Sequence, residues 1–467
     1  MARPYPVPNA TIPYWRTELH ELDSHRSTPE LPQKQDIVII GAGFAGVALA
    51  RYLLEDSSPS SSGRPSITIL EAREACSGAT GRNGGHLRPD LFVSLAARMQ
   101  DRGLETANQV ALFEVANEKA VASLVEEEGI ACDLQSVTTA DTFVDQAEAT
   151  KIKKLWDVMV RLNCPTLRDV TCHGPGDAER VTGVKDAKVA FTYPAHTVWP
   201  YKMVMHMLAG VVRQGANLQT HTPVHEVSSA ADGEGYWTLS TSRGATKARR
   251  VVFATNAYTS GLLPEYDDAI YPARGAACRV VPRPLPEARL GSCAVEVKSP
   301  ATVDCYYGVR PDGSLIVGGA KTAFSARRDL WYRNYDDSTQ IEPAVPYFPV
   351  WPRRTLAGWE GSTVEVDSVW TGIMGYSADD VPHIGPVSSK PGLYICAGFN
   401  GHGMPNVLLC AKGLAKMIRD GSPFSQTGVP ACYETGAERL RKISRRTAAP
   451  AVNRARADIF LKHSYGS

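Results

Sequence analysis

Gln35-Asp-Ile-Val-Ile-Ile-Gly-Ala-Gly-Phe-Ala-Gly-Val-Ala-Leu-Ala50 runs an apolar strand straight into glycines spaced G-x-G-x-x-G and then into a helix. That spacing is a dinucleotide grip. Gly41 permits the tight turn, Gly43 lets backbone approach a pyrophosphate, and Gly46 lets helix pack closely on strand. Phe44 and Ala45 open the helix, whose positive N-terminus suits phosphate. The next apolar run, Ser66-Ile-Thr-Ile-Leu-Glu71, reads as a second parallel strand, and Glu71 at its end is placed to accept hydrogen bonds from an adenosine ribose. The interval from Gly46 to Glu71 exceeds the usual ~20 residues, and the Ser/Pro-rich stretch from Glu55 to Ser66 accounts for it as a longer loop. The alternative for Glu71 is a surface carboxylate at a strand end.

With 467 residues, 43% of them hydrophobic, the chain can bury a large core and is long enough for two or three domains. A formal net charge of +1 supplies no global field to recruit nucleic acid or a membrane surface. No apolar run reaches the ~20 residues of a membrane span, and Met1-Ala-Arg-Pro-Tyr-Pro6 lacks the apolar core of a secretory signal. Tyr465-Gly-Ser467 is not a peroxisomal address, so a cytoplasmic protein is expected. Ten cysteines are scattered without a C-x-x-C pair, which leaves zinc and dithiol chemistry without a sequence basis and suits free thiols. No metal is expected. Arg439, Arg441, Lys442, Arg445, Arg446, Arg454 and Arg456 crowd the C-terminal tail, which reads as a solvated helix or frayed end.

Residues 1–35 are rich in proline, polar and charged residues and read as an arm laid on the surface, with Tyr14-Trp15 as its aromatic anchor. From Leu91 to Glu128 apolar residues recur at helical spacing, predicting one or two long helices that end at Gly129. Val198 to Val212 reads as another helix, Asn217 to Val227 as two short strands, and Ala248 to Tyr258 as a parallel strand finishing at Ala254-Thr-Asn256. Leu393 to Leu409 repeats the pattern of strand, glycine-rich turn and helix. This order predicts an α/β chain with a Rossmann-like nucleotide domain assembled from segments 36–95, 197–270 and 365–430. A second domain, 96–196 and 271–364, is threaded through it, and 431–467 forms a helical tail. Within the second domain, residues 271–330 read as an antiparallel sheet, with Asp304 to Gly319 a hairpin turning at Pro311-Asp-Gly313. Backbone N–H groups from Gly401 to Met404, at a helix start, suit negative charge on a second group. A reduced flavin ring carries such charge, which favours FAD over a nicotinamide.

Taken together, Gly41-Ala-Gly-Phe-Ala-Gly46, Cys76-Ser-Gly-Ala-Thr-Gly-Arg-Asn-Gly-Gly-His-Leu87, the strand Val251 to Asn256 and Gly398-Phe-Asn-Gly-His-Gly-Met404 resemble the FAD-dependent D-amino-acid oxidase (DAO) superfamily. The wording is nearest the gamma-glutamylputrescine oxidase branch, with glycine and sarcosine oxidases beside it. The resemblance covers most of residues 36–420 in the right order. It implies FAD stretched across the nucleotide domain, with Gly78 to His86 along the flavin and a β-rich substrate domain over its other face. Beyond the first turn, the implied cofactor contacts are Glu71, Ala72, Arg73, Thr80, Gly81, Arg82, Asn83, Gly84, Gly85, His86 and Leu87. Val224, Ala254, Thr255, Asn256, Gly372, Gly398, Asn400, Gly401, His402, Gly403 and Met404 complete them.

Two departures from the family matter. Glycine-oxidase-like members read Gly-Leu-Arg-Pro before the late Pro-x-Ile-Gly, and that arginine holds the substrate carboxylate as a bidentate partner. Trp370 to Gly385 places Met374 there, so an amine, or a larger metabolite bearing one, is expected, with Arg274, Arg279 and Arg310 as the alternative sources of charge. Sarcosine-oxidase relatives attach flavin through a cysteine near Ile373 to Tyr376, and dimethylglycine-dehydrogenase relatives through a histidine where Arg82 aligns. Neither is present, so noncovalent FAD is expected; His86 lies a few residues on. The implied reaction is hydride transfer from an amine α C–H to flavin N5, giving an imine, with molecular oxygen reduced to hydrogen peroxide. His402, Tyr376 and Tyr307 are the catalytic candidates, and Met374, Trp370, Tyr306 and Arg310 the substrate-binding ones, the aromatics serving as a wall for a cation. His402 either faces the flavin or caps the helix, and each aromatic has core packing as its alternative. A dehydrogenase with a non-oxygen acceptor and a noncatalytic FAD-binding protein leave the same motifs. A flavin monooxygenase fits less well, because the later strand ends in Ala254-Thr-Asn256 rather than in a Gly-Asp motif.

Overall fold

A computed structural model describes residues 4–55, 63–283, 293–299 and 302–448. Strand Lys34–Ile40 is buried from Ile37 to Ile40, four consecutive apolar residues, as a strand covered on both faces must be. Gly244–Phe253 and Ile67–Leu70 flank it in parallel. Leu393–Ala397 and Asn217–Gln219 extend the sheet outward, also in parallel, and His383–Pro386 closes one edge antiparallel. Trp237–Thr241 and Val224–Val227 form an antiparallel branch. Helices Phe44–Glu55, Pro200–Arg213 and Val407–Asp420 share one core on one face, and Val38, Phe253 and Ile395 pack in another core with Tyr266. Strands from separated parts of the chain thus build one Rossmann-like sheet.

The second sheet runs in the order Thr363–Ser377, Ile270–Arg283, Leu315–Gly319, Thr302–Val309, Cys293–Ser299, Gln135–Phe143, Val189–Thr197 and His86–Leu87, with Thr171–His173 beside Val189–Thr197. Its neighbours are antiparallel except at one joint, where Cys293–Ser299 lies parallel to Gln135–Phe143. The hairpin turns where the sequence places it, with Gly313 at φ +79° and its N–H on the Arg310 carbonyl. Most of Thr363–Ser377 falls in the stretch 365–430, yet it pairs along its length with Ile270–Arg283. The stretch from Leu91 to Glu128 forms two helices, Val93–Arg102 and Leu104–Glu127, divided at Gly103, φ +83°.

Most of the arm's described residues are exposed or half-buried, and its aromatic anchor goes inward. Trp15 is fully buried, its indole N–H donates to the Asn83 carbonyl at 2.5 Å, and its ring meets Trp199 edge-on at 5.6 Å. A large aromatic ring with a polar handle gains by such burial. Helix Ala437–Ala448 is likewise tied down in part, with Ile443 buried and Arg439 on both oxygens of Asp379 at 2.9 and 2.8 Å. Arg454 and Arg456 lie outside the described residues. Among the described residues no helix is long and apolar enough to cross a membrane, and no group of His, Cys, Asp and Glu is placed to hold a metal.

Candidate active site

A cavity of about 1440 Å³ opens between the C-terminal ends of the parallel strands and the second sheet, where ligands collect in such folds. At one end Gly41, Gly43, Phe44, Ala45, Glu71, Ala72, Arg73, Val224, Ala254 and Thr255 line it. Gly41 has φ +111°, and a Cβ there would stand 2.6 Å from the Ala254 carbonyl oxygen. Gly46 is off the wall: its Cβ would meet the Gly41 carbonyl oxygen at 2.0 Å, so it serves the packing of helix on turn. Glu71 accepts from the Ala42 N–H at 2.8 Å and from the Arg73 N–H at 3.0 Å, which fixes its carboxylate at the wall. The Arg73 guanidinium is engaged with Asp337 at 2.9 and 3.0 Å.

Thr80, Arg82, Asn83, Gly84 and His86 continue the wall. Thr80 Oγ1 accepts from the Phe44 N–H at 2.9 Å, tying this loop to the helix start. Gly81, Gly85 and Leu87 do not line the cavity; a Cβ on Gly81 would meet the Cys76 carbonyl oxygen at 2.3 Å, and one on Gly85 the Val198 carbonyl oxygen at 2.7 Å. Arg82 donates to the Ser77 carbonyl at 2.7 Å and the Thr371 carbonyl at 2.8 Å, and burial lowers its pKa to about 10. His86 is edge-on to Tyr306 at 5.2 Å, and its Nε2 is buried without a hydrogen-bond partner. Burial, with Arg88 close by, lowers its pKa to about 4 and keeps the ring neutral.

The far end of the cavity carries Asn256, Gly372, Met374, Tyr376, Asn400, Gly401, His402, Gly403 and Met404. Asn256 and Asn400 adopt left-handed backbone at φ +43° and +56°, which asparagine tolerates. The Asn256 side chain accepts from the Gly398 N–H at 3.0 Å; that of Asn400 accepts from the Ser377 N–H at 2.7 Å. They clamp the glycine turn against neighbouring strands, while Gly398 itself stays off the wall. A Cβ on Gly401 would stand 2.9 Å from Met374 Sδ and 3.3 Å from Tyr376 Oη, so turn, thioether and phenol meet at one point. His402 Nε2 lies 3.0 Å from Glu114, a fully buried carboxylate on helix Leu104–Glu127 that also faces Arg98 at 3.3 Å. Burial alone would raise the Glu114 pKa, but His402 and Arg98 outweigh it and hold it below the usual range. Burial likewise opposes charge on His402, and Glu114 overcomes it, raising the imidazole pKa.

Four sequence candidates part company at the second sheet. Tyr306 and Tyr307 are consecutive on one strand and so face opposite ways. Tyr306 faces the cavity, its ring 2.4 Å from a Cβ placed on Gly84 and 2.1 Å from one on Gly318. Tyr307 is buried on the other side, donating to the Thr182 carbonyl at 2.7 Å. Trp370 is buried with its indole N–H on the Arg82 carbonyl at 2.8 Å. Arg310 stacks over Trp15 and Trp199 and reaches Asp133 at 2.5 Å. Tyr307, Trp370 and Arg310 do not line the cavity. Sequence reading passed over Glu114, Arg98 and Asp380. Asp380 lines the cavity at φ +68°, and burial with the adjacent Asp379 raises its pKa to about 8.

A family model described as DAO, FAD dependent oxidoreductase, matches residues 36–417. The chain is 22% identical over 431 residues to mitochondrial dimethylglycine dehydrogenase of Mus musculus, covering 86% of this chain and 44% of that protein. It is 21% identical over 392 residues to gamma-glutamylputrescine oxidoreductase of Escherichia coli (strain K12), covering 82% and 83%. Among solved structures, glycine oxidase from Geobacillus kaustophilus superposes with a TM-score of 0.67 at 18% identity, over 87% of this chain and 99% of that one. L-proline dehydrogenase from P. horikoshii does so at 0.63 and 19%, over 86% and 98%. The chain spans less than half the length of the dimethylglycine dehydrogenase it matches. At such identities the structural likeness speaks for the fold, and the family match, which takes in most of the sequence and every glycine motif that shapes the cavity, speaks for the cofactor: the chain belongs to the DAO family of FAD-dependent oxidoreductases.

Proposed function

We propose that the chain oxidises the carbon–nitrogen bond of an amine lacking an α-carboxylate, on noncovalent FAD, with oxygen as electron acceptor. The cavity fits that cofactor. It offers bare backbone at a helix start and a fixed carboxylate at one end, a glycine turn at the other, and Gly84 between them where any side chain would strike Tyr306. When bound, FAD supplies a two-electron acceptor for a C–H bond beside nitrogen. The chain's own part is to hold the amine in place, exclude water and present charge. Tyr306, Tyr376 and Met374 offer an aromatic and polarizable surface for a cation or neutral amine. His402 presents its ring at the glycine turn.

The observation that carries the substrate class is the register around Met374. Ala273 pairs with Met374 and Arg274 with Ile373, so the Arg274 side chain leaves the sheet on the face opposite Met374. Its guanidinium donates to the Leu330 carbonyl at 3.1 Å and to the Thr339 carbonyl and hydroxyl at 2.7 and 2.9 Å. Arg279 is held by Asp312 and Asp367, and Arg310 by Asp133. Arg279 and Arg310 are therefore committed elsewhere, and Arg274, which does line the cavity, has the end of its guanidinium engaged by Leu330 and Thr339. Noncovalent binding is supported by the engaged arginine at position 82 and by His86, whose Nε2 stands 2.9 Å from a Cβ placed on Gly308 in the second sheet.

The test is the absorbance of the yellow holoprotein under anaerobic conditions as primary amines, secondary amines and amino acids are added, followed by air. Bleaching by amines with recovery in air supports the proposal, and bleaching by simple α-amino acids alone overturns the Met374 argument. Bleaching that air does not reverse points to a dehydrogenase. Acid precipitation is expected to leave the flavin in the supernatant; colour in the pellet refutes noncovalent attachment.

A further inference from the structure

Four donors converge on the buried Glu114 carboxylate. Its Oε2 faces the Asp90 N–H at 2.7 Å and His402 Nε2 at 3.0 Å, and its Oε1 faces Arg98 at 3.3 Å and the Asn406 amide at 3.5 Å. None of the glycine motifs contains this residue. It reaches the back of the turn from helix Leu104–Glu127. His402 Nδ1 has no hydrogen-bond partner among the described residues, and 31% of the side chain is exposed where it lines the cavity. With Nε2–H given to Glu114, Nδ1 shows the cavity either a lone pair or an N–H, according to whether the ring is neutral or charged. A desolvated carboxylate about 3 Å away favours the charged ring.

We propose that Glu114 is a positioning residue that keeps a proton on His402, so that the cavity presents an N–H donor and a positive charge at the glycine turn, against the isoalloxazine of bound FAD. This rests on reading the far end of the cavity as the flavin end. The groups facing the pair come from several elements. Asp90 supports the charge from the loop before Val93–Arg102, and Arg98 on that helix opposes it. Tyr433, Cys432 and Cys410 lie around Glu114 and Arg98, with their own pKa values raised by burial and therefore neutral at physiological pH.

Sulfite adds to flavin N5 in proportion to the positive charge that stabilises the adduct, so its affinity for the holoprotein, corrected for sulfite's own ionisation, reads the state of His402 without turnover. In the wild type the affinity should fall once, at a pH above the ordinary imidazole range, as His402 loses its proton. Glu114→Gln should move that fall to lower pH by about one unit, a tenfold loss in the affinity of His402 for its proton. Arg98→Met, which removes an opposing cation, should move the fall to higher pH. General packing damage moves both variants the same way, and if Glu114→Gln does not retain FAD the Arg98→Met shift carries the test. His402→Asn should abolish the fall, and Glu114→Gln should add nothing in that background. A His402→Asn variant that loses the fall, combined with Glu114 and Arg98 variants that leave it in place or shift it together, overturns this proposal while the flavin placement stands. A wild-type profile in His402→Asn overturns the placement itself.

Discussion

Gly46→Ala is the sharpest perturbation of the nucleotide end, because helix propensity and packing predict opposite signs. Position 46 lies inside helix Phe44–Glu55, where replacing glycine by alanine gains roughly 0.5–1 kcal/mol when nothing else changes. Here the added carbon would stand 2.0 Å from the Gly41 carbonyl oxygen, and real contacts of this kind stay above 3.0 Å. The helix must therefore retreat from the turn by about 1 Å. Both partners are main chain, so no side chain can give way, and the displacement falls on the backbone that faces the cavity. Overpacking of this kind costs about 1–3 kcal/mol. Set against the propensity gain, a net loss of about 1–2 kcal/mol in the apoprotein remains. FAD affinity should drop by at least about tenfold, since 1.4 kcal/mol of misplaced contact is a factor of ten. Gly210→Ala is the internal control: it sits in helix Pro200–Arg213 with only Arg213 Nη2 near its Cβ, at 3.8 Å, and should stabilise. The assays are urea unfolding of both apoproteins and fluorescence titration with FAD. If Gly46→Ala matches Gly210→Ala in stability and binds FAD within twofold of wild type, the reasoning from the 2.0 Å contact is refuted.

Three further outcomes follow from single contacts. Thr80→Val removes the acceptor for the Phe44 N–H while keeping the side-chain shape, and should weaken FAD binding by roughly tenfold, the cost of an unsatisfied donor of ~1–3 kcal/mol; unchanged affinity by titration refutes it. Tyr307→Phe leaves the Thr182 carbonyl without its donor and should cost about 1–2 kcal/mol in urea with flavin reduction unchanged, whereas a tenfold slower reduction would return Tyr307 to the site. Asp380 has a pKa raised to about 8 in the folded chain, far above the unfolded value near ~4, so its ionisation penalises the folded state progressively as pH rises between those values. Asp380→Asn keeps a residue that tolerates φ +68°, and its gain in Tm over wild type should grow from pH ~5 to pH ~8; a gain that is flat or shrinks with pH refutes the assignment.

The parallel sheet was legible because its signals are local. Four apolar residues ending in a glycine turn, met again at Leu393 to Gly403, declare a buried strand feeding a helix wherever they occur. The pairing of Cys293–Ser299 with Gln135–Phe143 was not legible, since nothing in either strand marks a parallel neighbour so distant in sequence. The seat of the arm's anchor was hidden for a related reason. Trp15 states that it will be buried, but its partners, the Asn83 carbonyl and the Trp199 side chain, lie 68 and 184 residues away. The residues around it stay largely exposed or half-buried while the indole goes inward.

At the cavity, positions built from backbone were readable and those that depend on side-chain facing were not. Tyr306 and Tyr307 cannot both belong to one wall, since the two-residue repeat of a strand allows only one to face the cavity, a constraint the sequence itself carries. Which one faces inward depends on Gly84 and Gly318, whose missing side chains make room for the Tyr306 ring. Glu114 had a signal of another kind. In Leu104–Glu127 the polar residues Glu114, Asn117 and Glu118 fall on the same buried stripe as Val110 and Val121. Polar groups on such a stripe answer unsatisfied groups on a neighbour. Asn117 accepts from the Leu409 N–H at 2.9 Å, a first-turn donor with no partner inside its own helix, and donates to the Met404 carbonyl at 3.1 Å. Glu114 takes up His402, five residues before helix Val407–Asp420 begins. An inserted helix thus caps the helix that follows the glycine turn and sets the charge at that turn, so the electrostatics of the far end of the cavity come from a segment in which no motif search would look.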